Sequence, residues 1–168
     1  MSGDRQEYER LFRACYPSVL RSVVLITRDR ARAEEACQDA FVLLLQRWSV
    51  VSEYERPEAW VRTVAVRGAL RTVRRDSRRS ALELVRHRRV DDVVTPDWPD
   101  VDLARALTQL PAKQRAAVVL HYLEDLPVTE VAKALEVSDS TVKQHLFRAR
   151  RHLAALLSET VEVSSDVD

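Results

Sequence analysis

Pro127-Val128-Thr129-Glu130-Val131-Ala132-Lys133-Ala134-Leu135 is followed by Glu136-Val137-Ser138, and then by Asp139-Ser140-Thr141-Val142-Lys143-Gln144-His145-Leu146-Phe147-Arg148-Ala149-Arg150. Val131, Ala132 and Leu135 recur at helical spacing in the first segment, and Val142, Leu146, Ala149, Leu153 and Leu156 do so in and beyond the last. The three residues between leave room only for a tight turn, and Ser138 is a favoured helix N-cap. The second helix turns Lys143, Gln144, Phe147, Arg148 and Arg151 away from its apolar stripe. Two helices so joined form a helix-turn-helix, whose second helix enters the major groove N-terminus first. Lysine, arginine and glutamine are the side chains that reach guanine and adenine edges. Glycine is common in such turns, and Glu136 stands there instead. A purely structural helical hairpin is the alternative; a large apolar side chain, Phe147, beside Arg148 on the polar face argues against it.

The composition extends the helical reading to the whole chain. Of 168 residues 46% are apolar and 32% charged, enough to bury a core. There are two glycines, Gly3 and Gly68, and no asparagine, so the tight turns of a hairpin-rich fold lack their residues. The expected class is all-α, as two small helical domains. No apolar run reaches the roughly 20 residues of a membrane span, and Met1-Ser2-Gly3-Asp4-Arg5 has no signal-peptide pattern, so a cytoplasmic protein is expected. Cys15 and Cys37 sit among apolar neighbours as buried hydrophobes, and His87, His121, His145 and His152 form no ligand cluster; neither metal nor cofactor is expected.

Net charge is +1, but it is unevenly laid out. Residues 1–80 carry a net +5, 81–110 a net −2, 111–157 a net +2 and 158–168 a net −4. Charge asymmetry of this kind points to nucleic acid. Only Lys113, Lys133 and Lys143 are lysine among 27 basic residues. A GC-rich genome accounts for that ratio, though not for where the arginines fall.

They fall on a ridge. Tyr8 to Ile26 is an amphipathic helix that Pro17 bends or divides, and Thr27 or Asp29 caps a second helix. Ala33, Ala36, Cys37, Ala40, Phe41, Leu44, Leu45 and Trp48 form the buried stripe of that second helix, with Glu34, Glu35, Gln38 and Asp39 on its other face. Ser49 to Arg56 reads as a loop closing at Pro57, a favoured first helical position. From Pro57 to Arg79 a third helix buries Trp60, Val61, Val64, Val66, Ala69, Leu70 and Val73, and lines Arg67, Arg71, Arg74, Arg75 and Arg78 along one face. Asp76 is the only acid from Ala59 to Arg79. Like charges so placed cost about 0.2–0.5 kcal/mol per pair, so the ridge destabilises the bare helix unless a polyanion meets it. Residues 80–102, with Asp91, Asp92, Asp97, Asp100 and Asp102, read as an acidic linker. The expected division is 1–79, 80–102, 103–157 and a disordered acidic tail at 158–168.

In this order the motifs resemble a bacterial sigma factor of the extracytoplasmic-function (ECF) group of the sigma-70 family, of actinobacterial type, from about Tyr8 to Leu156. Arg32-Ala33-Glu34-Glu35-Ala36-Cys37-Gln38-Asp39-Ala40-Phe41, ending at Trp48, resembles the core-binding helix of region two. Ala59-Trp60-Val61-Arg62-Thr63-Val64-Ala65 through Arg74-Arg75 resembles the segment that melts and reads the minus-ten element. Leu110-Pro111, Gln114-Arg115, Glu130-Val131-Ala132, Val137-Ser138 and Thr141-Val142-Lys143 through Arg150 resemble region four. The resemblance implies that Glu34, Glu35, Gln38 and Asp39 meet the β′ clamp helices of core RNA polymerase and that region four meets its β flap. It implies that the Ser49–Arg56 loop captures a flipped base, with Tyr54 as a stacking surface. Arg67, Arg71, Arg74 and Arg75 would hold minus-ten strand phosphates; His121, Lys143, Gln144, Phe147 and Arg148 would read the minus-thirty-five element. Arg67 and Arg71 stand where the family often has asparagine or aspartate, and Gln144-His145 where serine and arginine are usual.

The implied function is a promoter-specificity subunit with core RNA polymerase and promoter DNA as partners and an anti-sigma factor as a further candidate partner. The alternative, a helix-turn-helix regulator binding duplex DNA as a dimer, leaves the Glu34–Asp39 surface and the arginine ridge without a purpose. An enzyme is not expected: the sequence has no P-loop, metal-ligand cluster or nucleophile–base pair.

Overall fold

The computed structural model describes residues 2–80 and 101–165, so most of the expected linker, 81–100, and residues 166–168 lie outside the described residues. Every regular element among the described residues is helical. The chain divides into two units, Met1–Arg86 and His87–Asp168.

The first unit packs three long helices on one another. Helix α1, Ser2–Thr27, runs unbroken through Pro17, which lies on the exposed side. There the missing N–H costs one intrahelical bond, but the ring meets no packed neighbour. Arg28 ends the helix in left-handed backbone, φ 59°, with its N–H on the Val24 carbonyl at 2.8 Å. Asp29, extended at φ −152°, then caps α2, Arg30–Gln46, by accepting the Arg32 N–H at 3.3 Å. Of the two candidate caps, Asp29 does the capping. The Thr27 hydroxyl stays inside, donating to the Val23 carbonyl at 2.9 Å.

Helix α2 stops at Gln46 rather than running to Trp48, and the chain restarts as a single turn, α3, Trp48–Val51. The expected Ser49–Arg56 loop is therefore shorter, Ser52–Arg56. The jog at Arg47 (φ −107°, ψ 15°) rotates Trp48 back into the core, where it is 9% exposed. Leu45 is 53% exposed and does not belong to the buried stripe. Within α2 it follows Glu35, Gln38 and Val42 at three-four spacing, on the face turned away from the core.

Pro57 is the first residue of α4, Pro57–Ser80. Val61, Ala65, Val66, Ala69 and Leu70 bury against Val19, Val23 and Ile26 of α1 and Ala33, Cys37 and Leu44 of α2. Each larger aliphatic so enclosed stabilises the unit by about 1.5–3 kcal/mol. Tyr8, Phe12 and Tyr16 on α1 meet Phe41 and Trp48, with Phe12 edge-on to Phe41 at 5.0 Å.

The second unit comprises α5, Val101–Thr108; α6, Ala112–Val118, continued by one π-turn, Val119–Leu123; α7, Val128–Leu135; and α8, Asp139–Ser165. Arg115, 3% exposed, donates to the Leu110 carbonyl at 2.6 Å and satisfies the end of α5 before Pro111. Leu107, Val119, Leu120, Val131 and Val142 close the core, whereas Leu153 and Leu156 are half-buried. The backbone of α8 stays helical to Ser165, so most of the stretch expected as a disordered tail is helix. No glycine or proline interrupts it from Asp139 onward, and the Ser158 hydroxyl bonds the Ala154 carbonyl at 2.7 Å.

Candidate nucleic-acid interface

On α2 the outward face begins with charge and ends with oil. Glu35, Gln38 and Asp39 are exposed, and Glu34 is half-buried, accepting from Arg30 Nε at 2.9 Å. Val42, 54% exposed, and Leu45 continue the same stripe at the spacing 35, 38, 42, 45. Sequence reasoning missed this apolar half because it assigned Leu45 inward; the three-four spacing running on from Glu35 was the available signal. Past Leu45 a groove of about 590 Å³ opens between the start of α1 (Asp4, Tyr8) and the α2–α3 joint (Gln46, Trp48).

Arg71, Arg74, Arg75 and Arg78 on α4 are exposed, and among the described residues none has an acidic partner. Arg67 differs: it is half-buried and already engaged within the protein, so the structure does not place it with the exposed four. It lies within the part of α4 that packs, one turn before the buried residues end at Leu70. Tyr54, 47% exposed in the Ser52–Arg56 loop, turns outward and not into the core. Its N–H is held by the Val51 carbonyl at 3.0 Å.

In the second unit the turn between α7 and α8 is made by Glu136 in left-handed backbone, φ 56° and ψ 46°, with the Val137 N–H on the Ala132 carbonyl at 3.1 Å. The Ser138 hydroxyl accepts the Thr141 N–H at 3.2 Å, capping α8. Lys143, Phe147 and Arg151 then stand one turn apart, flanked by Gln144 and Arg148, and the five line a shallow groove of about 510 Å³. Phe147 is 54% exposed, and the Arg151 guanidinium lies 5.9 Å from its ring centre. His121 is not among the residues lining that groove. It sits half-buried in the π-turn with Nδ1 bonded to the Leu126 carbonyl at 2.7 Å and its ring edge-on to Tyr122. His145, beside the groove, has its pKa lowered by burial first and then by Lys113 and Arg148, which favours the neutral ring.

Elsewhere among the described residues no group of His, Cys, Asp and Glu is arranged to hold a metal, and no helix is long and apolar enough to cross a membrane. Cys37 is fully buried and its thiol is pushed up to about 12, chiefly by burial; Cys15 shifts upward for the same first reason.

One unit bears an arginine-faced helix and the other a helix-turn-helix, the helical class of a nucleic-acid-binding protein built in two parts. The chain matches "Sigma-70 region 2" over residues 11–79 and "Sigma-70, region 4" over residues 100–153. It is 31% identical to the ECF RNA polymerase sigma factor SigM of Mycobacterium tuberculosis, over 94% of this chain and 80% of that one. It is 32% identical to the RNA polymerase sigma-E factor of Streptomyces avermitilis, over 99% and 90%. Its fold is that of the sigma factor RpoE of Bartonella quintana, crystallised with the anti-sigma factor NepR: TM-score 0.70 at 20% identity, covering 91% of this chain and 98% of that one. The chain belongs to the ECF RNA polymerase sigma factors, and it acts in transcription initiation with RNA polymerase and promoter DNA.

Proposed function

We propose that the work of this sigma factor is divided among three surfaces and that none of them is catalytic. The α2 face, with Glu35, Gln38 and Asp39 as its charged part and Val42 and Leu45 as its apolar part, docks on core polymerase; Glu34, tied to Arg30, contributes less. Carboxylates there suit arginine-rich clamp helices, and two exposed aliphatics supply the dehydrated centre that a stable interface needs. Arg71, Arg74 and Arg75 hold the phosphates of the melted minus-ten strand, with Tyr54 outward for a flipped base. Lys143, Gln144, Phe147 and Arg148 read the minus-thirty-five element, and His121 supports that surface from behind through its bond to Leu126.

The observation that carries this reading is the exposed row of arginines on α4, which lacks acidic partners among the described residues and lies in a unit whose helix α2 presents acids and aliphatics. A free regulator has no use for both. An anti-sigma factor stays a candidate partner through the family, the Bartonella fold neighbour having been crystallised with one.

The test is a pair of charge reversals, Glu35→Lys and Asp39→Lys, with affinity for core polymerase measured by fluorescence anisotropy. Binding should weaken by about tenfold or more while the helical circular dichroism signal is unchanged. Unaltered core affinity in both variants would remove α2 from the polymerase interface.

A further inference from the structure

Packing along α4 ends before its arginines do. Val61, Ala65, Val66, Ala69 and Leu70 are buried, but from Arg71 to Arg79 no residue is. Only Thr72, Val73 and Asp76 are half-buried there, so the last turns of α4 rest on little apolar surface and an ion pair can weigh in how they sit. Within them lies Asp76, the one acid among the arginines, and on its own helix it could reach Arg79 one turn on. It is taken instead by Arg32 of α2, through Nη1, while Nε of the same guanidinium pairs with Asp29 Oδ2 at 3.0 Å. Asp29 is also the cap of α2 through its other oxygen, at 3.3 Å from the Arg32 N–H. The three side chains are only 30%, 11% and 29% exposed for Arg32, Asp29 and Asp76. They are thus shielded more than a surface pair, which by itself contributes little.

We propose that the Asp29–Arg32–Asp76 bracket is a positioning device for minus-ten DNA: it turns the only carboxylate of the arginine row onto α2 and so aims Arg71, Arg74, Arg75 and Arg78 outward as a set. The idea rests on the reading of α4 as a strand-binding surface and adds residues that touch no nucleotide. The planar fork of arginine is needed because it meets two carboxylates on different sides; a lysine ammonium in its place holds one of them at a time. The start of the polymerase-facing helix and the end of the DNA-facing helix are thereby joined by one side chain.

The sign of one substitution separates this from simple electrostatics. Asp76→Asn removes a negative charge beside DNA phosphates, which by charge alone tightens binding. If the bracket aims the arginines, the same change weakens it. The full-length chain would be titrated into fluorescein-labelled random-sequence single-stranded DNA at low and moderate salt, with core-polymerase affinity as the companion measurement. Asp76→Asn and Arg32→Lys should each weaken DNA binding by roughly three- to tenfold, toward the lower end of the coupling found within a charged network, and leave core affinity as it is. Arg74→Ala with Arg75→Ala is the reference. If that pair weakens binding but Asp76→Asn tightens it or changes nothing, the bracket proposal fails alone. If the reference pair is silent, the strand-binding reading fails and the bracket's role with it. An equal loss of core affinity in Asp76→Asn would mean that the ion pair holds the unit together at large, and would also overturn the proposal.

Discussion

Glu136 occupies a conformation that costs an L-residue with a side chain about 1–2 kcal/mol, since its φ is 56°. The helix-turn-helix was legible without it, from Val131, Leu135, Val142 and Leu146. The turn position was legible too, as Glu136 standing where glycine is common; the structure adds that Glu136 itself takes the left-handed backbone that glycine would take without strain. Glu136→Gly should stabilise the second unit by about 1 kcal/mol once the entropy of the glycine is set against the relief. That would raise its thermal midpoint by about 4–8 °C, checked by calorimetry. Cys37 leads to a pH effect of definite sign. Its thiol rises from the ordinary 9.0 to about 12 in the folded unit. Above pH 9 the unfolded chain therefore loses a proton that the folded chain keeps, and stability falls as pH rises toward about 12. Tyr8 and Tyr16, raised first by burial, act in the same direction. Chemical denaturation between pH 8 and 11, run with a Cys37→Ala control, should show the loss and its reduction in the control.

Among the elements, the long helices were readable because apolar residues at three-four spacing leave few choices. The α2–α3 joint was not. Counting by period carries Leu45 and Trp48 into one stripe, but Leu45 follows Glu35, Gln38 and Val42 on the outward face of α2, and the jog at Arg47 sends Trp48 inward. The error mattered for function, since it hid half of the α2 surface. Leu45→Ser should accordingly leave the first unit within about 0.5 kcal/mol of its original stability while weakening core-polymerase binding several-fold; a destabilised unit with unchanged core binding would return Leu45 to the core. On α8, Lys143→Ala or Arg148→Ala should each cost about 1–3 kcal/mol in promoter affinity and relax selectivity at one base position. A uniform loss across sequences would assign that side chain to phosphate. His121, by contrast, was placed among the base readers by resemblance alone; its half-buried ring and its bond to Leu126 carry the information that the sequence lacked.

At the level of the whole molecule, a net charge of +1 conceals two basic stretches, residues 1–80 at a net +5 and 111–157 at a net +2, separated in sequence by acidic residues. Each unit offers few contacts to DNA, and two weak contacts become strong when a third body fixes their spacing and makes the second intramolecular. Core polymerase is that body in this account, so the free chain should hold promoter duplex poorly and lose what affinity it has as salt rises. The measurement that bears most directly on this is run-off transcription from promoter fragments selected from the source genome, with core polymerase alone, with this chain alone and with both. Transcripts of defined start are expected from the combination only, with weak duplex binding by the chain alone. Tight, specific binding to duplex DNA by the free chain, with no promoter-dependent transcript when core polymerase is added, would contradict it.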